Sequence, residues 1–367
     1  MGKKIGKITL KGFKSIESLD DFELDSLTVM IGANGAGKSN FVEFFRMLRA
    51  MADENLQNYV LDAGGSDGFL FLGPKRTKEI SFHLKFGSNS YSCTLHPSAS
   101  GSLIISSEST GYGESSFTVS GLKESAMKSR RFEKSSWYPN TNGVGYYIYE
   151  SVSSWTVYHF HDTSSLSAMR RDQSVRDWDR FRHDASNIAA FLMHLKRIKP
   201  ESYLLIRDTV RLIAPFFDDF LLRPQVRGSD EQVRLEWHQK GSDFPFQPNH
   251  LSDGTIRFVC LATALLQPVP PATIVIDEPE LGLHPYAISI LAALIKSASE
   301  RTQVIISTQS PTLLDYFATE EIVVVNRREG RSTYERLDPQ TLAAWMEDYS
   351  VGDLWQKNVV QGGPTRE

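Results

Sequence analysis

The sequence is short of cysteine and of long apolar runs, and these two absences exclude several classes of protein. Its two cysteines, Cys93 and Cys260, lie far apart and outside any CxxC or Cys/His spacing. A disulfide framework and a zinc knuckle are therefore not indicated, and a reducing cytoplasm fits best. No run approaches the roughly 18 apolar residues of a membrane span, and residues 1–16 lack the apolar segment of a signal peptide. We therefore expect a cytoplasmic protein with no membrane partner.

An excess of charge of one sign is also missing. The formal net charge is −4 over 367 residues. This value argues against a surface coated with basic residues for nucleic-acid binding, although it leaves room for a local basic face. With 41% apolar and 23% charged residues, the chain suits one large globular domain or two lobes.

Strand and helix patterns alternate at both ends of the chain. Near the start, two β-rich segments precede a helix whose Phe41, Phe44, Phe45 and Leu48 form a stripe at i, i+3, i+4 and i+7. In the last third, the patterns predict helices at 254–266, 285–299 and 312–318 and strands at 273–277, 303–308 and 321–326. Such alternation predicts an α/β fold, with a mixed, mostly parallel sheet and flanking helices.

The middle of the chain has a different composition. Residues 80–160 are rich in Ser, Gly, Thr and Tyr, and short runs such as SFHLKF and GYYIYE predict antiparallel strands. Residues 164–222 have helical patterns. We interpret 76–231 as an inserted α+β lobe, 1–75 and 232–340 as the two parts of one discontinuous domain, and 341–367 as a C-terminal tail.

The segment GANGAGKS, residues 32–39, matches the phosphate-binding loop G-x-x-x-x-G-K-[ST] and lies between an apolar strand and a helix. Glycines let successive main-chain N–H groups curve around phosphate oxygens, and the helix N-terminus adds partial positive charge. Lys38 is expected to reach the β- and γ-phosphates of ATP, and Ser39 to hold Mg²⁺. The predicted ATP contacts in this segment are Asn34, Gly35, Ala36, Gly37, Lys38, Ser39 and Asn40.

The segment TIVIDEPELGLHP, residues 273–285, ends an apolar strand in two adjacent acids. Two carboxylates at a strand end are costly unless a cation or a polarised water occupies them. Asp277 is therefore expected to reach Mg²⁺ through its waters. Glu278 is expected to orient and deprotonate the water that attacks the γ-phosphate.

Four motifs together resemble those of one family. They are the phosphate loop preceded by GFKSI, the stretch LSDGT at 251–255, IDEPELGLHP and STQSP. The chain thus resembles the ABC-type ATPases of the RecF, SMC and OLD group, and most closely the compact stand-alone AAA-21-like ATPases of prokaryotic defence and repair loci. The resemblance covers 1–75 and 240–330, and more loosely YHFHDTS at 158–164 and the tail at 349–364. It implies an ABC-type P-loop ATPase head.

The resemblance also implies that LSDGT serves a second subunit. In this family the signature motif contacts the γ-phosphate of the ATP held by a partner's phosphate loop, so that two ATP molecules are sandwiched head to tail. Ser252, Asp253 and Gly254 are the expected contacts in trans, and Ser252 is also the expected N-cap of the next helix. The implied protein is a homodimer, or a higher oligomer, that acts with a separately encoded effector such as a nuclease.

One position departs from the family pattern. The switch residue, often histidine in STHSP, is Gln309 here. Glutamine can hydrogen-bond the γ-phosphate but cannot take a positive charge, which argues against fast hydrolysis. Gln309 still joins Lys38 and Glu278 in the expected catalytic group. Gln57 is the nearest candidate for the glutamine of the loop that joins the ATPase to its inserted lobe.

Two clusters in the middle of the chain allow more than one interpretation. His159, His161 and Asp162, with His183 and His194 further along, are consistent with a metal site, but their spacing favours a hydrogen-bonded contact between the lobe and the ATPase. An arginine-rich stretch is predicted to be helical and paired with interleaved acids. It contains Arg170, Arg171, Arg176, Arg180 and Arg182 among Asp172, Asp177 and Asp179.

A second basic cluster is less neutralised by acids. It comprises Lys123, Lys128, Arg130, Arg131 and Lys134 and is followed by Trp137 and Tyr138. Basic residues beside aromatic ones suit contact with nucleic-acid backbone and bases, although a solvated loop is the favoured interpretation. Lys123, Lys128, Arg130 and Arg131 are therefore candidate nucleic-acid contacts.

The segments available also limit what the chain can do. The residues after the last predicted strand are too few for the metal-dependent nuclease lobe of OLD-type proteins, and the inserted lobe lacks the heptads of an SMC arm. Nuclease activity is therefore expected from a partner. The leading hypothesis is an ATP-driven dimeric switch in antiviral defence or DNA repair. The alternatives are a RecF-like ATP-gated DNA-binding protein and a transporter ATPase subunit, which LSDGT and the large insertion disfavour.

Overall fold

The computed structural model describes residues 3–113, 115–135, 141–227 and 230–360. Trp137, Tyr138 and the end of the predicted tail lie outside the described residues. The strands are β1 (Lys7–Phe13), β2 (Ile16–Glu23), β3 (Leu27–Ile31), β4 (Ile80–Phe86), β5 (Asn89–Pro97), β6 (Leu103–Tyr112), β7 (Ser115–Val119), β8 (Thr156–Tyr158), β9 (Gln173–Ser174), β10 (Phe217–Leu221), β11 (Gln225–Arg227), β12 (Asp230–Val233), β13 (Glu236–Gln239), β14 (Thr273–Asp277), β15 (Gln303–Thr308), β16 (Ile322–Arg328) and β17 (Arg331–Arg336). The α-helices are α1 (Lys38–Ala52), α2 (Leu56–Asp62), α3 (Met127–Arg130), α4 (Val144–Val152), α5 (Ile188–Ile198), α6 (Pro200–Ile213), α7 (Asp253–Leu266), α8 (Pro285–Arg301), α9 (Pro311–Leu314), α10 (Pro339–Leu342) and α11 (Val351–Gln356).

The chain divides into two compact units, each assembled from separate segments. The first unit comprises Met1–Val157, Pro271–Val275 and Thr302–Glu367, and the second comprises Tyr158–Pro270 and Ile276–Arg301. The domain boundaries predicted from the sequence, at 75/76 and 231/232, are not the boundaries of these units and stay a prediction. Among the described residues, no helix has the length and apolar character needed to cross a bilayer.

One sheet contains β3, the strand that leads into the phosphate loop. Its order is β17-β16-β3-β15-β14-β8, and β3 is parallel to both of its neighbours, β15 and β16. All five residues of β3 are buried, as expected for a central parallel strand covered on both faces. The predicted α/β class with a mostly parallel sheet is therefore confirmed. Strand β17, which pairs antiparallel with β16, was not predicted.

A second sheet of the first unit is antiparallel, with the order β2-β1-β4-β5-β6-β7. β1 pairs with β2 on one side and with β4 on the other. SFHLKF forms most of β4 and has the alternating burial of a strand with one covered face. The strand predicted for SFHLKF is therefore confirmed.

Helix α1 packs through the stripe predicted for it. Phe41, Phe44, Phe45 and Leu48 are completely buried, and the ring of Phe13 meets that of Phe44 edge to face at 5.8 Å. Burial of each such side chain contributes about 1.5–3 kcal/mol. This packing fixes the helix whose first residue, Lys38, ends the phosphate loop.

In the second unit, helix α7 is the central element. It packs against α5, α6 and α8, and it is buried without interruption from Ile256 to Leu266. Its first turn is different, because Ser252 and Asp253 are exposed and Gly254 and Thr255 are half-buried. The end of the helix that carries LSDGT is thus the accessible end.

The strand predicted for GYYIYE is wrong, because this segment lies in helix α4. Ile148 and Val152 are buried and follow Val144 at intervals of four residues, which is helical spacing. A Cβ atom on Gly145 would lie 2.7 Å from the carbonyl oxygen of Arg130, so glycine permits close packing there. These contacts override the β propensity of the tyrosines and isoleucine.

The helix predicted around the arginine-rich stretch is also wrong. Arg170 ends a short 3-10 turn, β9 follows, and the regular helix begins only at Ile188. The buried side chain of Asn187 replaces helical hydrogen bonds in this segment. It donates to the carbonyl oxygens of Asp177 at 2.9 Å and Arg180 at 2.7 Å and accepts from the N–H of Arg182 at 2.9 Å.

Candidate nucleotide site and signature motif

The phosphate loop joins β3 to α1 in the first unit, as the sequence predicts. Gly37 precedes the helix with φ +116°, and Gly35 has φ +78°. Both values lie in the left-handed region, which glycine enters without the steric cost of a Cβ atom. The loop therefore has the curvature that lets main-chain N–H groups surround an anion.

Three successive carbonyl oxygens of the loop accept hydrogen bonds from side chains of the β16–β17 hairpin. Arg327 Nη1 donates to Gly35 at 3.3 Å, Ser332 Oγ to Ala36 at 2.6 Å, and the Tyr334 hydroxyl to Gly37 at 2.9 Å. Burial raises the pKa of Tyr334 and so keeps its hydroxyl protonated as a donor. A carbonyl oxygen carries partial negative charge and repels phosphate. In this loop, side-chain donors of the protein satisfy the carbonyl oxygens. The loop is therefore suited to bind a phosphate through its N–H groups.

The same hairpin leaves no room for side chains on two loop glycines. A Cβ atom on Gly37 would lie 2.0 Å from Ser332 Oγ, and one on Gly32 would lie 2.2 Å from the carbonyl oxygen of Val325. Ser15 extends the support, because its hydroxyl lies 2.6 Å from Ser332 Oγ and accepts from Asn40 Nδ2 at 2.6 Å. Sequence reasoning identified the glycines but missed this support, because it failed to predict β17.

Lys38 is buried at the start of α1. Its Nζ donates to the carbonyl oxygens of Gly32 at 2.7 Å and Ala33 at 3.1 Å, so the ammonium lies against the loop it is predicted to serve. Ser39 is exposed on the same turn. Its hydroxyl oxygen is the type of hard donor that Mg²⁺ prefers.

Gln309 follows β15 in the first unit. The next residue, Ser310, caps α9 by accepting from the N–H of Leu313 at 3.2 Å, and its own N–H donates to Thr308 Oγ1 at 2.9 Å. The main chain on both sides of Gln309 is therefore fixed by local hydrogen bonds. The predicted short helix near 312–318 corresponds to α9, Pro311–Leu314.

In the second unit, Ser252 caps α7 as predicted. Its Oγ accepts from the N–H of Thr255 at 3.2 Å. Gly254 is packed closely, because a Cβ atom there would lie 2.5 Å from the carbonyl oxygen of Gly282. The signature motif therefore combines an accessible helix N-terminus with a rigid backbone behind it.

Arg170 holds the signature motif from behind. Its buried guanidinium donates to the carbonyl oxygens of Pro248 and, at 3.2 Å, Leu251, and it pairs with Asp253 Oδ1 at 2.9 Å. Asp253 itself stays largely exposed. The predicted helix-face pairing of Arg170 with neighbouring acids is wrong. Its partners lie about eighty residues away in the sequence, and no local pattern indicates them.

The carboxylate pair ends β14 and begins a turn. Glu278 has φ +47°, a left-handed conformation that costs a residue with a side chain about 1–2 kcal/mol. Such strain persists only where the surrounding structure enforces it, and it is common at functional sites. Asp277 offers carboxylate oxygens, which suit Mg²⁺ as the hydroxyl of Ser39 does.

The histidine cluster contacts this turn. His161 Nε2 lies 2.9 Å from the carbonyl oxygen of Asp277, and the rings of His159 and His161 are 4.3 Å apart. His194 instead stacks on Trp178. Across the part of the chain that the structure describes, no group of three or more His, Cys, Asp or Glu side chains is placed to hold a metal ion.

The candidate nucleic-acid cluster is engaged within the first unit. Lys128 Nζ pairs with Glu54 at 2.8 Å, Arg130 is mostly buried and pairs with Glu133 at 3.0 Å, and Arg131 lies 4.4 Å over the ring of Phe132. Contact with a phosphate backbone would compete with these partners. Gln57 donates its amide to the carbonyl oxygens of Leu103, at 2.8 Å, and Lys123.

Comparisons with known proteins agree with this geometry. A family described as "AAA domain, putative AbiEii toxin, Type IV TA system", AAA_21, matches residues 27–90 and 107–315. No curated protein matches the chain. A structure of the Smc head bound to the C-terminal winged-helix domain of ScpA has a TM-score of 0.59 at 16% identity and covers 93% of this chain and 99% of its own. A Pyrococcus furiosus structure of the Smc head with an extended coiled coil, bound to the C-terminal domain of ScpA, has a TM-score of 0.57 at 15% identity, with coverages of 94% and 99%. At such identities the likeness establishes the fold.

Proposed function

Because the chain belongs to the AAA_21 family of P-loop ATPases, with the ABC-type head fold of SMC proteins, we propose that it is an ATP-hydrolysing switch. In this proposal two chains close head to tail around two ATP molecules and control a separately encoded effector. The observation that carries it is the accessible first turn of α7, which is capped by Ser252 and held by Arg170. A rigid, exposed helix N-terminus suits the γ-phosphate of a second chain's ATP.

The residues of one chain divide between binding and hydrolysis. Main-chain N–H groups of residues 34–40 and the ammonium of Lys38 bind the phosphates of ATP. Ser39 and Asp277 would hold Mg²⁺, whose positive charge would offset the negative charge of the phosphates during phosphoryl transfer. Glu278 orients the attacking water and accepts its proton, and Gln309 hydrogen-bonds the γ-phosphate. The products are ADP and phosphate.

The energy of the switch comes from contacts made only in the closed dimer. ATP shifts the equilibrium between open and closed chains because Ser252, Asp253 and Gly254 contact the γ-phosphate in the closed state alone. Hydrolysis removes that contact and reopens the dimer. Because Gln309 cannot become cationic, we propose that turnover is slow unless a partner stimulates it.

The effector is a second protein, for which a nuclease is our leading choice. Two features support a partner: the similar Smc heads are bound to domains of ScpA, and the family description names a putative toxin of a type IV toxin–antitoxin system. We place the switch in antiviral defence or DNA repair in the cytoplasm. A direct DNA-binding role is second, because contact through Lys128 or Arg130 would break an existing ion pair.

The test measures the mass of the Glu278→Gln protein in solution with and without ATP. This variant keeps the size of the side chain and one acceptor oxygen but cannot accept a proton, so ATP should hold it as a dimer. Light scattering with ATP and Mg²⁺ is expected to report twice the mass measured without nucleotide. Lys38→Ala with Glu278→Gln is the control and should stay at the smaller mass. A monomeric Glu278→Gln at saturating ATP would refute the dimeric switch.

A further inference from the structure

The turn that begins at Glu278 is fastened at both ends by side chains from elsewhere in the second unit. At its start, His161 Nε2 lies 2.9 Å from the carbonyl oxygen of Asp277. At its end, Arg257 Nη1 donates to the carbonyl oxygen of Leu281. The turn is closed by the N–H of Leu281, which donates to the carbonyl oxygen of Glu278 at 3.3 Å. The left-handed Glu278 therefore lies between two anchored peptide groups.

Arg257 also anchors the histidine itself. Its guanidinium is buried and donates Nε to the carbonyl oxygen of Phe160 at 2.9 Å and Nη2 to that of His161 at 3.1 Å. One planar group thus holds the main chain that carries His161 and the far end of the Glu278 turn. Because Arg257 lies on α7 one turn after Gly254, the whole arrangement is attached to the signature helix.

The hydrogen bond to the carbonyl oxygen of Asp277 determines which nitrogen of the His161 ring carries a proton. A carbonyl oxygen only accepts, so the ring must carry a proton on Nε2. The imidazole is half-buried, and water can replace its hydrogen bond to the carbonyl when the ring is removed. Loss of the ring should therefore cost little folding stability, while the Asp277–Glu278 peptide loses one of the contacts that set its direction.

We propose that His161 is a positioning residue for Glu278, which it holds in the catalytic direction through the main chain of Asp277. This inference rests on the proposed role of Glu278 as the base in ATP hydrolysis. A displacement of about 1 Å in a reacting group can lower a rate by roughly 100-fold. A partial loss of constraint should have a smaller effect, and it should lower kcat rather than the affinity for ATP.

The first experiment compares His161→Ala, His161→Gln and, as a matched control, His183→Gln. His183 is an exposed histidine of the same unit. We expect His161→Ala to lower kcat for ATP about 10-fold, with KM within about twofold and an unchanged melting temperature. His161→Gln should recover part of the loss, because an amide N–H can donate to the same carbonyl oxygen. His183→Gln should match the unmodified protein.

The second experiment places His161→Ala in the Glu278→Gln background. If His161 acts only through Glu278, its removal should lower the residual hydrolysis no further there, because the coupling between the two residues is then complete. An equal fold loss in both backgrounds, or an unchanged kcat of His161→Ala, would overturn the proposal. An unaltered rate in Glu278→Gln alone would be a different result, since it would refute the role of Glu278 on which the proposal rests.

Arg257 provides an independent check. Arg257→Lys keeps the charge but cannot bridge the same three carbonyl oxygens, because an ammonium lacks the planar fork of a guanidinium. It should lower kcat as His161→Ala does, and the double variant should lose less than the product of the two single losses. Because Arg257 is buried, the melting temperature of the Arg257→Lys protein is measured together with its kcat. Independent, multiplicative losses would show that the two side chains do not hold one turn and would contradict the proposal.

Discussion

The phosphate loop and the signature motif are both held by distant side chains, but the support is distributed differently. Arg327, Ser332 and Tyr334 each hold one carbonyl oxygen of the loop. The signature motif depends on the charged guanidinium of Arg170, which holds two carbonyl oxygens and Asp253 together. Support of the loop is divided among several residues, whereas support of the signature is concentrated in one.

This difference predicts how each region fails. Loss of one hydroxyl removes a single hydrogen bond to a loop carbonyl oxygen, at a cost of about 0.5–1.5 kcal/mol, and the Gly37 oxygen still accepts from the N–H groups of Asn40 and Phe41. Loss of Arg170 removes hydrogen bonds to several acceptors at once. The loop should therefore be sensitive mainly to steric change at its glycines, and the signature to a single substitution behind it.

The largest effect should come from Gly37→Ala. The new Cβ atom would lie 2.0 Å from Ser332 Oγ at a residue with φ +116°, so the loop must leave its phosphate-binding curve. We expect ATP binding, measured by titration calorimetry, to weaken by about 100-fold or more. Gly35→Ala is the matched control, since its Cβ atom meets nothing within 4 Å, and it should lose much less. Equal affinities of the two variants would contradict the steric account.

The next effect should come from Arg170→Ala. We expect ATP-dependent dimerisation of the Glu278→Gln protein to weaken by about 30-fold, because a hydrogen bond from a charged donor contributes roughly 1.5–3 kcal/mol and Arg170 makes several. ATP affinity of the monomer should stay within about twofold, since the signature serves the partner. Sedimentation at several protein concentrations measures the first and calorimetry the second. Arg182→Ala, at an exposed pair with Asp177, is the control. If the Arg170→Ala dimer is as stable as the control dimer, Arg170 does not support the signature motif.

A smaller effect is expected from Tyr334→Phe. This change deletes only the hydroxyl that donates to Gly37 at 2.9 Å, and the ring stays in place against Phe41. The loss should weaken ATP binding about fivefold, which corresponds to roughly 1 kcal/mol. Ser332→Ala should have a similar effect, because it too releases one carbonyl oxygen. An effect as large as that of Gly37→Ala would show that support of the loop is not divided.

The smallest effect should come from Gln309→His. A histidine can donate a hydrogen bond to the γ-phosphate and can also carry a positive charge, so hydrolysis should become faster by about threefold with little change in ATP affinity. The gain should be larger at pH 6 than at pH 8, since an ordinary histidine is protonated below about 6.5. A steady-state rate that is unchanged at both values would show that charge at this position does not limit turnover.

The sequence alone could predict the contiguous parts of the site. The phosphate loop, the LSDGT cap and the two acids at the end of β14 are short runs in which the proposed functional groups are main-chain atoms or neighbouring side chains. Their place after strands and at helix starts follows from apolar patterns of the adjoining elements, which the structure confirms for β3, α1, α7 and β14.

The supporting residues could not be predicted in this way. Ser332 and Tyr334 lie on β17, whose sequence RSTYER begins and ends in charges and lacks an apolar run. Arg170 and Arg257 are buried, although arginine is among the least buried residue types, and their partners are main-chain carbonyl oxygens with no sequence signature. GYYIYE has the β propensity of its aromatic residues, but the interval of four between Val144, Ile148 and Val152 indicates the helix that forms.

The central claim, that the signature motif of one chain completes the nucleotide site of another, has a direct test in trans. Both variants are made in the Glu278→Gln background, so that hydrolysis does not reopen the dimer. Lys38→Ala disables the phosphate loop, and Ser252→Arg obstructs the signature. Neither variant alone should form an ATP-dependent dimer. In an equal mixture, a heterodimer combines the intact loop of one chain with the intact signature of the other. Native mass spectrometry should therefore detect a heterodimer that holds ATP. If the mixture stays monomeric, or if either variant by itself forms a dimer when ATP is added, the two motifs do not act across subunits.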